Sequence, residues 1–184
     1  MGSAARKETL MSRTLALIAA ATLLSSGGAA AQAPAPTDAQ IAHIAYTAGE
    51  LDIAAGRQAL EKSKDPAVRA FAETMVRDHA AVNRQALALV KKLGVTPQDN
   101  PTSQALTADA QAKLKAMSAL QGAAFDQAYV RNEVAFHQTV NGALQGTLIP
   151  GARNAELKDL LQTGLALFRE HQGHAEQLSK AVRP

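Results

Sequence analysis

Four side chains in this sequence have the chemistry to hold a metal ion and the spacing to face one another: Asp52, His79, His137 and His171. Each interrupts an apolar stripe of helical period. Ala48, Asp52 and Ala55 are spaced by four and three, and Met75, His79 and Val82 repeat that spacing. His137 stands between Val130 or Glu133 and Val140, and His171 between Leu167 and Ala175 or Leu178. Residues three and four apart share a helix face, so all four polar groups are expected to point inward. Imidazole and carboxylate together suit Zn, Cu, Ni, Mn or Fe. Three His and one Asp match the ligand number of a zinc site or of a mononuclear iron or manganese centre. The same pattern also fits a hydrogen-bonded polar layer that fixes helix register without metal.

Two further residues are weaker candidates. Glu133 lies one turn before His137 and is the best spare carboxylate, as a ligand or as an acid solvated at the bundle edge. His174 follows His171 by three residues, and Glu170 and His174 are also spaced as an ordinary surface pair. Other catalytic patterns are missing. There is no Glu-x-x-His of the ferritin di-iron type, no His-Glu-x-x-His, and no phosphate-binding or dinucleotide glycine loop. Gly-x-Ser-x-Gly is absent too. Enzyme activity is thus not indicated, although a mononuclear Fe or Mn enzyme remains an alternative.

Five helical segments must position these residues. The first is expected over about 38–63, capped by Thr37 with Gln40 at its third position. The second opens at Asp65–Pro66 and ends at Lys91, Lys92 and Gly94. The stretch VTPQDNPTS reads as a crossover loop, followed by a shorter helix over about 104–119. Gly122 marks a break before a fourth helix to about Thr147; Pro150–Gly151 reads as a turn; the last helix covers about 154–181. Four long helices with short links suggest two antiparallel pairs, an all-α antiparallel four-helix bundle with an extra short helix in the crossover.

Helix lengths test whether the ligands stand level. Asp52 and His79 each lie about a dozen residues from the first turn, so they should be level at 1.5 Å rise per residue. His137 lies roughly 10 residues before the turn region around Pro150, which follows the expected helix end at about Thr147, and His171 roughly 17 after Asn154, a mismatch of about 10 Å. A single four-ligand site is weakened by that arithmetic.

Composition narrows the setting. Arg6, Lys7 and Arg13 precede the apolar run Leu15 to Leu24, and AAAQA follows, which is the pattern of a secretory signal peptide over 1–33. The run is too short for a membrane-spanning helix. The remaining 34–184 form one helical-bundle domain with a core over about 38–182. Without residues 1–33 the chain keeps 16 basic and 15 acidic side chains, +1, so the pI near 9.3 is partly a leader effect. Nothing in this balance points to nucleic acid. There is no Cys, hence no disulfide and no thiolate ligand. A periplasmic location is expected, with no transmembrane helix after cleavage and with a partner in the envelope as a further possibility.

Three stretches, GRQALEKSKDPAVRAFAETMVRDHAAVN, GAAFDQAYVRNEVAFH and LFREH, carry a family resemblance across residues 40–180. The chain resembles the exported bacterial DUF4142 proteins, whose function is unknown and whose fold is similar to the ferritin-like bundles. The resemblance implies that a family glutamate falls on Asp52 and that family histidines fall on His79, His137 and His171. It also places a family Leu-Pro at Leu165–Ala166, where this chain has no proline. The functions in view are therefore metal handling or stress response in the envelope, or a metal-free structural or partner-binding role.

Overall fold

The computed structural model describes residues 35–182; the expected leader over 1–33 lies outside the described residues. Helix α1 (Asp38–Lys62) starts where Thr37 and Gln40 form the expected reciprocal cap. Helix α2 (Pro66–Leu93) begins with the Asp65 carboxylate accepting from the Ala67 and Val68 amides. It ends at Gly94, whose φ of 64° is the left-handed conformation glycine adopts without strain. Helix α3 (Pro101–Ser118) starts three residues earlier than the sequence reading. Asn100–Pro101 repeats the capping pattern of Asp65–Pro66, with Asn100 accepting from Thr102 and Ser103. That cap recruits the end of the expected loop into the helix.

Helix α4 (Gly122–Ala143) runs on through a π-helical turn (Leu144–Leu148) into a final turn, α5 (Ile149–Gly151); α6 (Ala155–Ala181) follows, capped by Asn154. The expected turn at Pro150–Gly151 is thus a continued helix. A proline ring ordinarily collides with the carbonyl four residues back. Here the wider turn just before Pro150, closed by Ile149 N–H donating to the Leu144 carbonyl, opens the backbone at that place.

Hydrogen bonds between helix ends fix the directions. Asp38 accepts from the Arg153 and Asn154 amides, and Gln98 N–H donates to the Ala39 carbonyl, so these segments share one end. Lys62 donates to the Ser118 carbonyl at the other end. Accordingly α1, α3 and α6 run one way and α2 and α4 the other. The long helices form an all-α bundle of two antiparallel pairs, α1–α2 and α4–α6, joined by α3 returning along the bundle. No helix among the described residues is long and apolar enough to cross a membrane.

The core is split in two. One apolar cluster includes Ile41, Ile44, Val90, Val140, Leu148, Leu161 and Phe168. The other includes Ala59, Val68, Phe71, Met75, Phe125, Tyr129 and Leu178. On every long helix the change from one cluster to the other falls at the polar residue that interrupts the stripe.

Close approach of α1 to α2 depends on glycine. A Cβ on Gly56 would lie 2.8 Å from Val76 Cγ2 and 3.2 Å from the Ala72 carbonyl oxygen. The carbonyl belongs to a helix and cannot yield by rotation. Gly56→Ala is expected to destabilise the fold by about 1–3 kcal/mol despite its better helix propensity; urea denaturation measures this, and an unchanged or raised midpoint would contradict it.

Candidate metal centre

The layer between the two apolar clusters is built from one residue each of α1, α2 and α6 and two of α4. Asp52, His79, His137 and His171 are all buried, as is Glu133. The three imidazoles form a near-equilateral group, with ring centroids 5.6 Å apart for His79–His137, 5.4 Å for His79–His171 and 5.6 Å for His137–His171. Nε2 of His79 and Nε2 of His137 lie 3.4 and 3.6 Å from the same oxygen, Oδ2 of Asp52. Two triads have donor atoms within 4.8 Å of one another: His79–His137–His171 and Asp52–Glu133–His137. Ligands bonded to one ion at about 2.1 Å stand roughly 3.4 Å apart in a tetrahedron, so side-chain movements of about an ångström would close either triad.

The expected 10 Å mismatch between His137 and His171 does not occur. Because the helix continues to Gly151, fourteen residues separate His137 from its end, against sixteen between Ala155 and His171. The difference of two residues is about 3 Å of rise. Glu133 faces the core rather than the solvated edge, with Oε2 3.7 Å from His137 Nδ1. His174 does not join the cluster. It is exposed and packs edge-on against Phe71 at 5.0 Å.

Hydrogen bonding orients two of the three imidazoles. His137 Nδ1 lies 3.0 Å from the Glu133 carbonyl oxygen, which can only accept, so the proton sits on Nδ1 and the Nε2 lone pair faces Asp52. His171 Nε2 lies 3.1 Å from Asp78 Oδ2, leaving its buried Nδ1 as the free donor atom. A carboxylate or carbonyl behind a histidine is the usual support of a metal ligand. Asp78 was missed by the sequence reading because it lies off the apolar stripe; its place beside His79 was the available signal. Arg77 pairs with Asp78 at 2.7 Å and, ahead of His171, holds that carboxyl below its usual range. His79 is held instead by its stack on Phe168, at 4.5 Å and 10° between planes.

What remains is a concentration of buried polar atoms without partners. Both oxygens of Asp52, both oxygens of Glu133, both nitrogens of His79, Nε2 of His137 and Nδ1 of His171 find no hydrogen-bond partner among the described residues. Burial drives each group toward neutrality. It pushes Asp52 up to about 8 and raises Glu133 strongly, with the Asp52 charge adding to the effect. It lowers His137 to about 4 and holds His79 and His171 below the ordinary histidine range. A small cleft of about 10 Å³ between α1, α3 and α4 reaches the two carboxyls, with exposed Lys113 on its lining.

A profile described as a domain of unknown function, DUF4142, matches residues 24–178. The chain belongs to the DUF4142 family. Comparison with curated proteins finds no match. Among solved structures, this DUF4142 chain is similar to a DUF305 protein from Streptomyces coelicolor, with a TM-score of 0.66 at 12% identity over 77% of this chain and 90% of that one. At that identity the likeness concerns the fold.

Burial of these groups makes stability depend on pH. A carboxyl with a raised value keeps a proton that the unfolded chain has released, so its favourable contribution is full below about pH 4 and is lost as pH rises through about 8. The lowered histidines act oppositely: their contribution is full above about 6.5 and is lost as pH falls, through about 4 for His137. Above pH 6.5 the histidine contribution levels off and the loss from the carboxyls dominates. The melting temperature of metal-free protein is therefore expected to fall between pH 6.5 and 8, and to fall less in Asp52→Asn; a profile unaltered by that substitution would contradict the assignment.

Proposed function

We propose that this DUF4142 protein binds one divalent first-row metal ion in its core, with His79, His137, His171 and Asp52 as ligands and Glu133 balancing charge. The observation that carries this reading is the convergence of unpartnered donor atoms in one buried layer. A purely structural polar layer would pair its members with one another, because each buried unpaired group costs about 1–3 kcal/mol. A dication would take one donor atom each from Asp52, His79, His137 and His171, and the carboxylates of Asp52 and Glu133 would neutralise its charge. Three nitrogens and one oxygen suit Zn²⁺, Cu²⁺, Ni²⁺ or Fe²⁺ better than the oxygen-seeking Mg²⁺ or Ca²⁺. The small cleft lined by Lys113, Asp52 and Glu133 is the approach to the carboxyls in this reading.

The bundle is of the ferritin-like type in this reading. Support comes from the two antiparallel pairs joined by one long crossover, with inward ligands from all four long helices. The site itself differs from a ferritin di-iron centre, since histidine rather than glutamate dominates it. The leader pattern over 1–33 directs the chain out of the cytoplasm, and we place its work in the periplasm, where it handles metal or responds to metal stress. Export also removes competition from cytosolic thiols.

Equilibrium dialysis of the untagged mature chain, with elemental analysis, tests the reading. About one equivalent of metal is expected, with affinity following the usual order in which Cu²⁺ exceeds Zn²⁺ and Ni²⁺, and these exceed Mn²⁺. Asp78→Ala should weaken binding about 10–100-fold through loss of support for His171, while His174→Ala leaves it unchanged. Metal content well below one equivalent, or equal affinities in all three proteins, would contradict it.

A further inference from the structure

We propose that the protein also binds a small, uncharged, apolar molecule of about benzene size in a cavity one helical turn from the histidine layer. The cavity has a volume of about 120 Å³ and lies between α1, α2, α3, α4 with its π turn, and α6. Its position follows from the lining residues. Ala48 is one turn from Asp52, Asn83 one turn from His79, Val140 three residues from His137 and Gly164 seven from His171. All four lie on the same side of the layer, toward the end where α5 meets α6. Phe168 belongs to both places: it lines the cavity and its ring stacks on His79.

The lining selects against polar ligands. It is formed mostly by Ala, Val, Leu and Ile side chains. Asn83 is the one amide in it, and its Nδ2 already donates to Glu50 Oε1 at 2.7 Å. Thr139 Oγ1 donates to the Ala135 carbonyl at 2.9 Å. Thr102, at the exposed edge, is the other polar side chain of the lining, so a water deep in the cavity lacks the two to four polar partners it needs; apolar cavities of roughly 150 Å³ stay dry and take benzene or xenon. The size excludes a peptide. Thr102 and Thr139 are solvent-exposed members of the lining, so the cavity opens between α3 and α4. None of this depends on a bound metal.

Benzene added to metal-free protein is the probe, with melting temperature and ¹⁹F NMR of fluorophenylalanine-labelled protein as readouts. At ten times the Kd, a rise of about 3–5 °C is expected. The chain has four phenylalanines, and Phe168 alone of them lines the cavity. Its signal should move while those of Phe71 and Phe125, in the other apolar cluster, stay in place. Ala86→Leu and Ala143→Leu, from two different helices, place extra carbons in the cavity and should each abolish both effects. A shift spread evenly over the phenylalanines, no rise in melting temperature, or equal responses in the wild type and in whichever filled variant folds would overturn the proposal. Loss of metal binding in the dialysis experiment would leave these outcomes unaffected.

Discussion

Five ionisable side chains are taken out of water in one layer across four helices, and the rest of the molecule is arranged around that cost. Charged groups cannot remain so deeply buried without partners. In metal-free protein they answer by neutralising: the carboxyls hold protons and the imidazoles lose them. Neutralisation removes the charge but leaves the donor atoms unpaired. Unpaired donor atoms gathered in one buried layer make it a candidate metal-binding cluster, in which four residues can each offer a ligand atom and two carboxylates can balance a dication's charge.

The scaffold supplies rigidity for this layer. Two apolar clusters hold it from both sides, and close contact of α1 with α2 at Gly56 sets Asp52 against His79. Support behind the imidazoles differs by position. His137 leans on its own helix, through the Glu133 carbonyl; His171 leans on a different helix, through Asp78; His79 is held by an aromatic face. Asp78 and the stack of Phe168 on His79 both tie α2 to α6 at the site, the first by a hydrogen bond and the second by an aromatic face. Phe168 links the polar layer to the apolar cavity beyond it, so the contents of one can be felt by the other.

Much of this was legible in the sequence because helical periodicity is strict. A polar residue on an otherwise apolar stripe has to face the core, and that alone located Asp52, His79, His137 and His171. Caps with unambiguous chemistry, such as Thr37 with Gln40 and Asp65 with Pro66, set helix starts correctly. The failures have physical causes. Pro150 followed by Gly151 looks like a turn, but a single widened turn let the helix pass through and brought His137 level with His171. Asn100 caps α3, which starts three residues before the position expected from the sequence pattern. Asp78 acts across the bundle from the flank of its helix, and a contact between residues 93 positions apart leaves no periodic trace. The apolar cavity arises from small side chains on five elements, none of which is unusual alone.

X-ray absorption at the metal edge of zinc-loaded protein examines the central claim at the atoms concerned. The account predicts a four-coordinate ion with nitrogen and oxygen neighbours at about 2.0–2.1 Å and the outer-shell scattering of three imidazole rings, reduced to two in His171→Ala. A six-coordinate oxygen shell without imidazole scattering would contradict it and place any bound metal elsewhere on the protein.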